Sequence, residues 1–73
     1  MEGEVFITSG ITEGEKIRLA RLSKWLRQLD VASLANVSLC EVTSAEKNRW
    51  VEPERKERIL KVLGLIDGEA DDQ

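Results

Sequence analysis

The chain has no histidine and no tyrosine, and only one cysteine, one proline and one phenylalanine in 73 residues. Each shortage removes a class of chemistry. Without imidazole, and with Cys40 as the single thiol, no standard zinc spacing can be assembled. One cysteine also excludes an internal disulfide framework, which makes a reducing cytoplasm the expected location. No apolar run approaches the ~20 residues that a membrane span requires. The opening MEGEVFITSG lacks the basic start and apolar stretch of a secretory leader. Gly-rich phosphate loops, nucleophile–base pairs and paired carboxylates are missing too, so the expectation is a non-enzyme without cofactor or metal.

What is present suits one small domain with an aliphatic core. Hydrophobic residues make up 41% of the chain, but the only aromatics are two tryptophans and Phe6. Gly10, Gly64 and the only proline, Pro53, sit at expected element ends, which favours an all-helical reading. The net charge of -3 hides a strong segregation. Residues 1–15 carry four carboxylates and no base, and residues 64–73 repeat that balance. Between them, residues 16–63 hold all 11 basic side chains against six acidic ones, a balance of +5. A basic centre between acidic ends is compatible with binding a polyanion, and equally with charged tails that keep a small domain in solution.

Periodicity and capping signals predict the elements. Residues 1–12 lack helical period; within this N-terminal arm, Val5-Phe6-Ile7 is a short β-prone run expected to lie against the body. Thr12-Glu13-Gly14-Glu15 has the form of a capping box and would start a first helix near Glu13, running to about Trp25. Ile17, Ala20, Arg21 and Lys24 lie along one stripe of that helix, and Leu19, Leu22 and Leu26 along another. A second helix is expected over Gln28 to Ala35, with Val31, Ala32 and Ala35 facing inward and Asn36 ending it in a left-handed conformation. Ser38-Leu39-Cys40-Glu41 is another capping box, opening a third helix over about 39–47 with Val42 and Ala45 buried. Asn48 suits a left-handed cap, Arg49 to Glu52 a loop, and Pro53 the first turn of a fourth helix that buries Ile59 and Leu63 and stops at Gly64. Leu65 and Ile66 can then fold back on the core, leaving 67–73 as a disordered acidic tail. The body is thus expected over 13–66.

Two short helices joined by so tight a turn resemble a helix-turn-helix. From Gly14 to Ile66 the chain resembles the lambda-repressor-like Cro/XRE family of such domains. Ile17-Arg18 and Arg21 match its first-helix pattern, and Gln28 the glutamine opening its second helix. Val31-Ala32 stand where the family has Leu-Ala, and Asn36-Val37-Ser38 where it has Gly-Val-Ser. Val42, Ala45 and Glu46 match Ile, Ile and Glu of the third helix, and Leu63-Gly64-Leu65 the Leu-Gly-Val after the fourth. The resemblance implies an all-α domain of four or five helices. It further implies a transcriptional regulator whose third helix enters the major groove of double-stranded DNA, with homodimers as a possible assembly. Arg21 and Glu46 would form an ion pair between the first and third helices. Both lie on otherwise apolar stripes, where a lone charge is costly and a pair tolerable.

The departures bear on function. Arg27 stands where a serine or threonine usually caps the second helix, with Asp30 compensating through the helix dipole. Trp25 occupies a position usually held by a glycine-like turn residue, and with Leu19 and Leu22 it makes an apolar patch for the arm, a second subunit or a partner protein. The base-reading positions fall on Leu39, Cys40 and Ser44, with Thr43 beside them; none is a side chain that makes bidentate base contacts. Serine or threonine could still bond a base edge, and Leu39 or Cys40 touch a thymine methyl. Arg27, Gln28, Ser38, Lys47 and Arg49 are the candidate phosphate contacts, whereas Glu41 would approach phosphate with the wrong charge. The alternative function is a protein-interaction module that keeps the helix-turn-helix fold without binding DNA.

Overall fold

The computed structural model describes residues 11–66, in which four helices follow one another and no strand occurs: α1 Glu13–Ser23, α2 Gln28–Ala35, α3 Leu39–Glu46 and α4 Pro53–Val62. The arm run Val5-Phe6-Ile7 and the acidic segment 67–73 lie outside the described residues.

The starts of α1 and α3 are set by reciprocal capping. Thr12 Oγ1 accepts from the Glu15 backbone N–H while the Glu15 carboxylate accepts from the Thr12 N–H. Ser38 and Glu41 repeat the exchange at α3. Each box satisfies two N–H groups that a helix start leaves without partners. At α2 only half of this device exists, because a guanidinium has no lone pair to offer. Asp30 Oδ2 accepts from the Arg27 backbone N–H at 2.8 Å, and the Arg27 side chain folds back onto the same carboxylate. The compensation expected from the helix dipole is therefore a direct hydrogen bond. In α4, Pro53 fills the first position with its φ already set for a helix.

All four helices end the same way. A residue with positive φ follows each one: Trp25 (59°), Asn36 (58°), Asn48 (61°) and Gly64 (73°). The next backbone N–H then reaches back five residues: Leu26 to Arg21, Val37 to Ala32, Arg49 to Ser44 and Leu65 to Leu60. This closes the last turn and satisfies carbonyls that would otherwise be orphaned. Trp25 thus lies beyond α1, which stops at Ser23 two residues short of its expected end; α3 stops at Glu46, with Lys47 as its cap.

The core consists of Ile17, Val31, Ala32, Ala35, Val42, Ala45, Val51, Ile59 and Leu63. α2 packs on α3 and α4, and α1 on α3. Three of these core residues are alanines and the α1–α3 crossing uses Gly14, so backbones approach closely. A Cβ on Gly14 would overlap the Glu46 carbonyl and come within 2.9 Å of the Ala45 carbonyl oxygen. Val51 sits in the segment expected only as a loop, yet it is buried. In contrast Leu65 and Ile66 do not fold back on the core; both remain exposed. Lys24 projects from the stripe shared by Ile17, Ala20 and Arg21 into solvent.

Candidate nucleic-acid interface

Only Asn36, Val37 and Ser38 separate α2 from α3. Asn36 turns the chain through its left-handed φ, half-buried Val37 plugs the turn, and Ser38 caps the next helix. Because Val42 and Ala45 face the core, the helical period puts Cys40, Thr43, Ser44 and Lys47 on the outward stripe of α3, with Leu39 at its edge. Leu39 and Cys40 are exposed, and Thr43 and Ser44 partly so. Thr43 Oγ1 donates to the Cys40 carbonyl at 2.9 Å, leaving its lone pairs outward; no hydrogen bond to a described residue engages the Ser44 hydroxyl. The stripe is short, polar and uncharged until Lys47.

Behind it lies a buried ion pair. Arg21 Nε donates to Glu46 Oε2 at 2.5 Å and Arg21 Nη2 to Oε1 at 3.3 Å, with the side chains only 10% and 5% exposed. Arg21 Nη1 also donates to the Leu26 carbonyl, and the Gln28 amide to Glu46 Oε1. The carboxylate therefore has three donors, and four residues from α1, the first turn, α2 and α3 are tied at one point. Each charge is well partnered, which is the condition under which burying it is tolerable. Gln28, a candidate phosphate contact, has part of its amide drawn into this network.

The other candidate phosphate residues divide sharply. Lys47 and Arg49 are exposed and form no salt bridge with a carboxylate among the described residues. Arg27 is exposed but paired with Asp30. The Asp30 carboxyl is held below the ordinary aspartate range, chiefly by the side-chain hydrogen bond from Arg27, then by the Arg27 backbone N–H, with a smaller coulombic contribution. Ser38 uses its oxygen for capping and presents the remainder of its hydroxyl at the start of α3. Glu41 is occupied as well: its carboxylate accepts from the Ser38 N–H and lies 3.4 Å from Arg55 Nε. The charge expected to repel phosphate is thus offset by a cation reaching across from α4.

One residue has a larger part than its capping signal indicated. Asn48 Oδ1 accepts from the Gly14 N–H at 2.8 Å, and Asn48 Nδ2 donates to Thr12 Oγ1 at 3.0 Å. A single side chain after α3 thereby completes the start of α1. Asparagine at a left-handed position predicted its backbone but not its partner, which lies 34 residues away.

Among the described residues no helix is long and apolar enough to cross a membrane, and no group of three or more acidic, cysteine or histidine side chains could hold a metal ion. No protein-family model, curated protein or solved structure matches the chain.

Proposed function

We propose that this chain is a DNA-binding helix-turn-helix domain of the lambda-repressor-like Cro/XRE kind, acting as a transcriptional regulator. The observation that carries this reading is the left-handed three-residue turn between α2 and α3, which leaves an uncharged outward stripe leading to Lys47 and Arg49. α3 enters the major groove, where Leu39, Cys40, Thr43 and Ser44 meet base edges. Lys47, Arg49, Ser38 and the remaining donor of Gln28 contact phosphates. Two copies would read half-sites about one helical turn apart. The Arg21–Glu46 pair positions α3 and touches no DNA.

The test is the salt dependence of binding to duplex DNA, because counterion release marks phosphate contacts. Affinity falls steeply as salt rises. Lys47→Ala and Arg49→Ala each weaken binding to every sequence alike and reduce the salt slope by about 1. Ser44→Ala alters the ranking of sequences more than the overall affinity. Failure to bind any duplex at low salt would sink this reading. The exposed Leu19, Leu22 and Trp25 favour the second reading, an interaction module on the same fold, which would then stand in its place.

A further inference from the structure

Trp50 is 80% exposed, although an indole is among the side chains with most to gain from burial. Its exposure is imposed by a loop pinned on both sides. Before it, Asn48 is tied through its side chain to Thr12 and Gly14, and the Arg49 N–H donates to the Ser44 carbonyl at 2.8 Å. After it, Val51 is 5% exposed and anchored in the core. With Asn48 bonded to the start of α1 and Val51 buried in the core, Arg49 and Trp50 remain exposed between them. Lys47, the cap of α3, stands two turns after Cys40 at the end of the outward stripe, and the exposed Arg49 and Trp50 follow it closely in sequence. The indole N–H, which can only donate, has no acceptor among the described residues. Glu52, the nearest carboxylate in sequence, is bonded to Arg55.

We infer that Trp50 is a DNA contact: its ring packs on a deoxyribose at the groove edge, and its Nε1–H donates to a phosphate oxygen. This inference rests on the proposed DNA-binding function. The chemistry of the loop favours a nucleic-acid backbone, in which an apolar sugar alternates with an anionic acceptor. Lys47 and Arg49 supply the charge, and the indole an apolar plane with one donor on its rim. A rigid loop presents these groups with little ordering cost on binding. Around Trp25, by contrast, Arg21 and Arg27 are paired with Glu46 and Asp30, which leaves Lys24 as the one neighbouring cation without a salt bridge among the described residues.

The experiment uses the full chain carrying Trp25→Phe, so that all tryptophan emission comes from position 50. On titration with a mixed-sequence duplex at low salt, the emission shifts with the same midpoint as binding measured by anisotropy of labelled DNA. Trp50→Ala lowers affinity about tenfold, the scale of one aromatic contact, with an unchanged salt slope and an unchanged melting temperature. Trp50→Phe, which keeps the plane and loses the donor, falls between. If the duplex binds with a salt slope while the emission does not move and Trp50→Ala binds as the parent does, the inference is overturned and the DNA-binding reading survives. Trp50 then belongs to a surface for a protein partner. Absence of duplex binding at low salt overturns both.

Discussion

Trp25 adopts a left-handed backbone at φ 59° while 92% exposed, so the strain is offset by no packing of the indole. Such a conformation costs a residue with a Cβ about 1–2 kcal/mol. Trp25→Gly should therefore raise the unfolding free energy in urea by up to about 1 kcal/mol, the gain being limited by the larger entropy of glycine in the unfolded chain. A loss of stability would show that the indole is packed in solution. Gly14 makes the opposite case. Alanine is the better helix former by about 1 kcal/mol, but its methyl has to displace the Glu46 carbonyl. Gly14→Ala should be net destabilising, on the scale of about 1–3 kcal/mol for an overpacked site. Glu46→Ala should cost on the order of 3 kcal/mol, since it leaves the Arg21 guanidinium buried without its anion. An unchanged melting curve would count against the pair.

At the level of elements, much of the fold is legible because helix boundaries are written in local chemistry. The capping boxes at Thr12 and Ser38, the left-handed Asn36, Asn48 and Gly64, and Pro53 all serve as their residue types indicate. α2 occupies the expected span from Gln28 to Ala35. What the sequence hides is long-range or geometric. Trp25 ends α1 against its own propensity, signalled only by the resemblance that puts a glycine-like turn residue there, and Val51 lacks a periodic neighbourhood that would mark it as core. The partners of Asn48 and Gln28, and the Arg55 partner of Glu41, lie on other elements. Of the candidate interface, the placing of Leu39, Cys40, Thr43 and Ser44 follows from helical period, but the neutralisation of Glu41 by Arg55 needs the packing of α4. The start of α2 carries a pH prediction. A carboxyl held below its unfolded value stabilises the fold above about pH 3.9, and loses that contribution as pH falls through the lower folded value. The Asp30 carboxyl should titrate by NMR below the ordinary range, and Arg27→Ala should move its midpoint upward. A midpoint that stays put in the variant would mean that the bond to Arg27 does not form in solution.

Among the described residues, large apolar side chains divide between a small core and the exterior. Leu19, Leu22, Leu29, Leu34, Leu39 and both tryptophans are exposed. Replacing Leu19 or Leu22 by lysine should leave stability within about 0.5 kcal/mol of the parent, whereas Leu63→Ala, in the core, should cost about 2–5 kcal/mol. A large loss at Leu19 or Leu22 in urea titrations would reveal that something covers that stripe. The bond from Gly14 to Asn48 links the start of α1 to the loop after α3. A helix of its own accord leaves the amide of its second residue without a partner, and here, among the described residues, that proton is bonded to a side chain just beyond the end of α3. Its hydrogen exchange should therefore follow the opening of the 47–50 loop rather than the fraying of α1. One amide, far in sequence from any proposed contact, becomes a reporter of occupancy there: a ligand that clamps the loop should slow its exchange.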